Sequence, residues 1–377
     1  MQHNTLNLGG AVNYHHGKFP PNNISLEMIM PALLAATDAL ARYDELLKFL
    51  RNSEILLAPL RSHEAIVSSR MEGTISTLDE VLQYEADEEG GRTGLHHRRD
   101  TIEVFMYQRA LRQAQKALEE SQPFSEHLIK ATHASLMAFG RGAKTNPGKY
   151  KQEQNYIGEK GSGQIQFIPI SPEQLPGNMD NLVSYINNNP TFPLVRIAVS
   201  HLEFEALHPF GDGNGRLGRM MITLLLWKFG VITQPHFYVS GYLEENRDEY
   251  IGRMRAVSEK GDWSNWVIFF LETLAEQAFR NIDTANKIST LYEEMKPQFR
   301  ELLNSQWAVH AQDFMFENPK FRNNRFTGKS GIPKPTATRI SRVLSENGIL
   351  KQVIPSAGRS PAMYSFEPLL EIVRKAK

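Results

Sequence analysis

The segment His208-Pro209-Phe210-Gly211-Asp212-Gly213-Asn214-Gly215-Arg216-Leu217-Gly218-Arg219 brings together the parts of a phosphate-handling site. An imidazole titrates near physiological pH, so His208 is a candidate general base. Gly211, Gly213 and Gly215 let the backbone turn until amide N–H groups converge on one point. At the start of a helix such a turn binds anions, because first-turn N–H groups lack intrahelical partners and the helix dipole is positive there. Asn214 reads as the N-cap of the following helix. Arg216 and Arg219 are three residues apart and can face the same anion. Arginine is otherwise unfavourable at a helix N-terminus, so a phosphate would compensate both charges. Asp212 supplies a hard oxygen for Mg²⁺ beside that phosphate. A capped helix–loop–helix with a solvated charge cluster accounts for any one of these residues, but poorly for the set.

Two helices must hold this loop. Leu194 to Leu207 carries apolar residues at 194, 197, 198, 199 and 202, and Met220 to Trp227 is almost wholly apolar. The loop string resembles the motif of the Fic family, His-x-Phe-x-(Asp/Glu)-Gly-Asn-Gly-Arg-x-x-Arg, at every specified position from His208 to Arg219. The resemblance implies a mainly α fold: a helical core with a β-hairpin flap. It also implies transfer of a nucleotide monophosphate, usually AMP from ATP with Mg²⁺, to a hydroxyl of a target protein. Gly213, Asn214, Gly215 and Arg216 would hold the phosphates, Arg219 the γ-phosphate and Asp212 the metal. Self-modification is compatible with this chemistry, and the target is unidentified.

Upstream, Ser68 and Glu72 lie four apart, hence on one helical face, with Gly73 as a helix end. The motif resembles the family's inhibitory Ser/Thr-x-x-x-Glu-Gly/Asn, which implies that Glu72 pairs with Arg219 and restrains the enzyme. Asn155-Tyr156-Ile157-Gly158 and Gln164-Ile165-Gln166-Phe167-Ile168-Pro169 flank the glycine turn Glu159–Gly163 and read as a hairpin. Its position resembles the family flap, on which a target segment docks by strand addition through Ile157, Gly158, Ile165 and Phe167. Asn246 to Tyr250 resembles the adenine-pocket segment, although only Tyr250 remains of the family's usual Tyr-Tyr pair. His201, Glu205 and His208 share one helical face but lack the metallohydrolase pattern, and His201 reads as structural.

The chain has 377 residues, 41% hydrophobic and 22% charged, with no cysteine, excluding disulfides and thiolate metal sites. No apolar run reaches the roughly 18–20 residues of a membrane span, and no secretory leader is evident, so the cytoplasm is the expected location. The balanced net charge hides an asymmetry: residues 318–377 hold 12 Lys and Arg against 3 Asp and Glu. Helix, helix and strand pair in this module resemble a winged helix, with 336–347 as recognition helix. DNA contact through residues 334–360, including Lys334, Arg339, Arg342 and Arg359, stands beside a protein-binding or homodimer role. The expected organisation is an N-terminal arm and helical region over 1–105, a catalytic core over 106–280, and a linker helix with winged helix over 281–377. The arm, including His15 and His16, reads as solvated. Residues 263–278 and 284–303 read as separate helices. A de-adenylylating hydrolase using the same site, and a nucleotide-sensing DNA-binding regulator, remain open as alternatives.

Overall fold

The computed structural model describes residues 8–50, 53–89, 97–120, 122–158, 164–358 and 360–376. The elements run β1 (Val12–Asn13), α1 (Leu26–Phe49), α2 (Ser53–Met71), α3 (Leu78–Glu89), α4 (Arg99–Glu119), α5 (Glu126–Leu136), β2 (Ile157–Gly158) and β3 (Ile165–Ile168). There follow α6 (Leu175–Asn188), α7 (Pro193–Leu207), α8 (Asn214–Lys228), α9 (Ser240–Glu245), α10 (Arg247–Lys260) and α11 (Trp263–Leu303). The chain continues through α12 (Ala308–Glu317), β4 (Lys320–Arg322), α13 (Asn323–Lys329), α14 (Lys334–Glu346), β5 (Lys351–Ile354), β6 (Met363–Ser365) and α15 (Glu367–Arg374). The fold is mainly α, as expected. Two compact units emerge: Met1–Asp44 with Arg109–Ala278, and Glu45–Gln108 with Phe279–Lys377. Residues 1–105, read from sequence as one region, are divided between the two.

In the first unit α7 and α8 form the centre. α7 opens on Pro193, whose missing N–H costs nothing at the first helical position. Its buried face extends around most of the helix, as expected of an element enclosed by others. α8 approaches closely at Gly218, where an added Cβ would stand 2.2 Å from Glu205 Oε1 and 3.3 Å from the Phe204 ring. Trp266 of α11 locks onto α7 by donating Nε1–H to the Ala198 carbonyl at 2.9 Å. α11 is one continuous helix, where sequence suggested a break after Ala278.

The flap differs from the expected two-stranded hairpin. It is a three-stranded sheet of order β1-β3-β2, with β1 parallel to β3 (Val12 opposite Phe167) and β2 antiparallel to it. Gly158 is obligatory, because a Cβ there would lie 2.4 Å from the Gln164 carbonyl oxygen. The hairpin turn, 159–163, lies outside the described residues.

Part of the N-terminal arm is not solvated, correcting its reading from composition: Val12, Tyr14 and His15 are buried, whereas His16 is exposed as expected. Tyr14 donates its hydroxyl to Glu203 Oε1 at 2.6 Å, and His15 bridges Glu203 Oε2 at 2.8 Å and Ser258 Oγ at 2.9 Å. His15 meets the Trp263 ring edge-on. Burial, and then the Glu203 charge, push the Tyr14 phenol far above its usual range. A carboxylate wholly inside α7 would be costly alone, and the arm supplies its donors.

In the second unit α2 ends where Gly73 turns left-handed at φ 82°. β4, β5 and β6 form a sheet of order β4-β6-β5. Acidic α3 absorbs part of the basic excess: Arg322 Nε meets Asp87 Oδ1 at 2.8 Å with both side chains buried. Asp79 takes Lys320 at 3.3 Å and Arg374 at 2.9 Å, which hold its carboxyl below the usual range against the opposing effect of burial.

Candidate active site

α7 terminates at His208, whose backbone is left-handed at φ 47° and ψ 61°. That conformation costs about 1–2 kcal/mol for a residue with a Cβ. His208 Nδ1 lies 3.3 Å from the Glu205 carbonyl oxygen. A carbonyl only accepts, so Nδ1 carries the proton and Nε2 keeps the lone pair a base needs.

The cap of α8 corrects the sequence reading. Gly213, left-handed at φ 82°, is the N-cap. The Asn214 side chain points back instead: Oδ1 accepts from Phe210 N at 2.9 Å and Nδ2 donates to the Phe210 carbonyl at 2.8 Å. It closes the loop as a short piece of mimicked backbone. The next main-chain bond, from Leu217 N to Gly213 O, closes the first turn of α8. Amides of Asn214 and Gly215 in that turn have no carbonyl of their own helix to serve, which suits an anion. A side chain at Gly213 would be strained by its φ and would stand 2.6 Å from Met137 Sδ.

Both arginines are buried. Arg216 Nη2 sits 3.4 Å from Met137 Sδ and 3.5 Å from Asp212 Oδ1. The Asp212 carboxylate accepts from Gly213 N at 2.6 Å and is 39% exposed, so it can also reach a ligand. His201 is enclosed between α8 and α10: its ring nitrogens meet the Gly218 carbonyl oxygen at 3.2 Å and the Tyr250 hydroxyl at 2.8 Å. Burial, with the Arg219 charge behind it, drives its pKa down to about 3. Tyr250, expected near a base, is buried with its hydroxyl on His201 and its ring beside Trp266 and Phe269. It braces α10 against α7.

Three residues to which the sequence assigned no role at the loop shape it. His133 of α5 is stacked on Phe210 at 3.7 Å; its Nδ1 accepts from Gly148 N at 2.8 Å and its Nε2 donates to the Asp212 carbonyl at 2.9 Å. Both bonds are made only by the neutral ring, and burial pushes its pKa down to about 4. Lys151 and Asn155 hold the loop from the other side. No spacing distinguishes a single helical histidine, or a lysine and asparagine in a turn-rich stretch. Only their carbonyl partners do, and every residue has a carbonyl.

Of the flap residues, Ile157 and Gly158 lie on the edge strand β2. Phe167 is paired on both sides, by β1 and β2, and Ile165 is buried. Ser68 is fully buried within α2, and Glu72 follows that helix with its N–H on the Ser69 carbonyl at 3.1 Å. Both belong to the second unit. In that unit His97 lies 3.5 Å from Asp87, while His96 and Arg359 fall outside the described residues. Among the described residues no group of three or more His, Asp or Glu could cage a metal, and no helix is long and apolar enough to cross a membrane.

Residues 30–116 match the family described as Fic/DOC family N-terminal, and residues 123–226 match the Fic/DOC family. A relative from Aquifex aeolicus, named a probable protein adenylyltransferase, is 29% identical over 208 residues, 55% of this chain and 58% of its own. The chain therefore spans less than two thirds of that relative. A Fido domain-containing protein of Dictyostelium discoideum is 30% identical over 141 residues, 35% of this chain and 90% of its own. A Fic family protein from Desulfovibrio desulfuricans G20 shares the fold with a TM-score of 0.58, over 92% of this chain and 98% of that one, at 22% identity.

Proposed function

Because the chain belongs to the Fic family, we propose that it is a protein adenylyltransferase, moving AMP from ATP to a Ser, Thr or Tyr hydroxyl of a target protein or of itself. The observation that carries this reading is the placement of His208, its Nδ1 3.3 Å from the Glu205 carbonyl oxygen, at the mouth of a helix that opens on a left-handed glycine. His208 Nε2 accepts the proton of the acceptor hydroxyl as its oxygen attacks the α-phosphorus. The α-phosphate's bond to the bridging oxygen breaks, and pyrophosphate leaves. The amides of the first turn of α8, with Arg216 and Arg219, hold the phosphates against the developing charge.

Asp212, half-open and 39% exposed, would hold Mg²⁺ through its carboxylate, since this ion is bound by one or two carboxylates together with substrate phosphates and water. When bound, the ion offsets charge on the phosphates. The chain's own contribution is to aim Asp212 through the Gly213 N–H. Target docking is proposed at the open edge of β2, by main-chain pairing.

In the same reading Glu72 is the brake: its carboxylate competes with the triphosphate for Arg219. This rests on the motif Ser68-x-x-x-Glu72-Gly73. Glu72→Gly is expected to raise auto-modification, and an unaltered rate in the purified variant would refute the inhibitory role.

One surface observation supports a second partner. Lys320, Arg322 and Arg374 are occupied by acids, whereas Lys329, Lys334, Arg339, Arg342 and Lys351 are exposed on α13, α14 and β5. We read this helix–helix–strand-pair module as a winged helix that meets duplex DNA through α14.

The test is incubation with α-labelled ATP, Mg²⁺ and lysate. Label on protein supports transfer; release of pre-attached AMP without transfer favours the hydrolase; neither, alongside DNA retention, favours the regulator.

A further inference from the structure

We propose that Lys151 and Asn155 are positioning residues for His208, and that they tie the base to the strand on which the target docks. This deepens the reading above and depends on His208 acting as the base.

The geometry is specific. Four consecutive carbonyls of the loop each accept a hydrogen bond from one of these two residues. Lys151 Nζ donates to Leu207 O at 3.1 Å, Asn155 Nδ2 to His208 O at 3.0 Å, Lys151 N to Pro209 O at 2.8 Å, and Asn155 Nδ2 to Phe210 O at 3.1 Å. Lys151 Nζ also donates to Asn155 Oδ1 at 2.7 Å, so the two side chains brace each other. A helix end leaves its last carbonyls without intrahelical donors. Here they sit beside a left-handed His208, where the backbone would relax to a commoner conformation if released. Lys151 and Asn155 remove that freedom.

The choice of lysine is informative. Its side chain is buried against two neutral oxygens, and burial lowers its pKa to about 8. A buried ammonium with only neutral partners is an expensive way to satisfy carbonyls. Its placement at the C-terminal end of α7, the negative end of the helix dipole, offsets part of that cost. The arrangement therefore suits geometry better than bulk stability.

The same two residues lead into the flap. Asn155 precedes β2 by a single residue, Tyr156. A target strand pairing with Ile157 and Gly158 would steady the segment that carries Asn155, and with it the carbonyl of His208. Docking and base placement are thereby linked through one asparagine.

The test measures auto-modification rate, ATP affinity by calorimetry and melting temperature on the full-length protein, with His208→Ala run in parallel. Asn155→Ala and Lys151→Met are expected to lower the transfer rate about 10- to 100-fold, as sub-ångström misplacement of a reacting group does. ATP affinity should stay within about twofold, because the phosphate turn keeps its own bonds in the variants: Asn214 Nδ2 to the Phe210 carbonyl, which it shares with Asn155, and His133 Nε2 to the Asp212 carbonyl. Lys151→Arg, which can still donate, should recover most of the rate. Where the alanine variant does not fold, Asn155→Asp keeps the acceptor for Lys151 and loses the amide donor, and should show the same loss. A wild-type rate in Asn155→Ala overturns the proposal, as does a parallel fall in rate, ATP affinity and melting temperature, or a Lys151→Arg variant as impaired as Lys151→Met. If His208→Ala itself keeps the wild-type rate, the base reading fails instead.

Discussion

The 207–218 loop and helix α14 both present cations to a prospective polyanion, yet they are built in opposite ways. Arg216 of the loop has a side chain only 3% exposed, fixed against Met137 and Asp212, whereas Arg342 of α14 is 70% exposed with Glu346 a loose 3.8 Å away. Bond-making chemistry needs groups whose positions are settled before the substrate arrives. Docking to a charged backbone needs only density of charge and freedom to adjust, at the expense of strong sensitivity to salt. On the proposed reading, the difference separates a place built to rearrange atoms from one built to hold a surface.

The contrast breaks most sharply at His208. His208→Ala should reduce label transfer by about 10²–10⁴-fold, while DNA retention by the same variant stays at the wild-type level; equal losses in both assays would erase the distinction.

The next effect is on pH. The unfolded imidazole of His133 titrates near 6.5 and the folded one near about 4. Between those values the unfolded chain takes up the proton first, so folding stability is complete above about 6.5 and declines as the medium is acidified. His133 alone should contribute a loss of about 1 kcal/mol by pH 5.5 and about 3 kcal/mol near pH 4. His201 acts in the same direction. Denaturant titrations at pH 7.5 and 5.5 should show the decline, and His133→Gln should flatten part of it.

Glycine offers a finer comparison. Gly213→Ala should lower stability by about 1–2 kcal/mol through its left-handed backbone. Gly328, inside α13 with open space around its missing side chain, should accept alanine with a gain of about 0.5–1 kcal/mol. Thermal melts of the two variants should move in opposite directions.

The smallest expected change is at α14. Lys334→Ala or Arg342→Ala should reduce the slope of log affinity against log salt by about one for each phosphate contact removed. A slope indifferent to both would assign the module to a protein partner.

Sequence disclosed the loop because its parts are contiguous and their types are unusual together. It disclosed the helices on either side of that loop through periodicity. It was silent where function resides in long-range partners. His15 looks like any polar residue in an arm until Glu203, 188 positions away, needs a donor. The break suggested within α11 came from the polar stretch after Ala278. That helix narrows its buried face there without stopping, continuing through Ala285, Ile288, Tyr292 and Phe299, and Phe279 is left exposed. Asn214 was misread because capping is the commonest task for asparagine ahead of a helix. Here a left-handed glycine does that work, and the amide closes a ring on Phe210.

The parallel register of Val12 with Phe167 carries a kinetic consequence. Closing a ring over so long a stretch of chain is entropically slow and is rewarded only once the intervening helices have condensed. Residues 157–168 can fold back on themselves early, but their third strand must wait. The sheet beside His208 should therefore be among the last pieces of this protein to gain hydrogen-exchange protection during refolding.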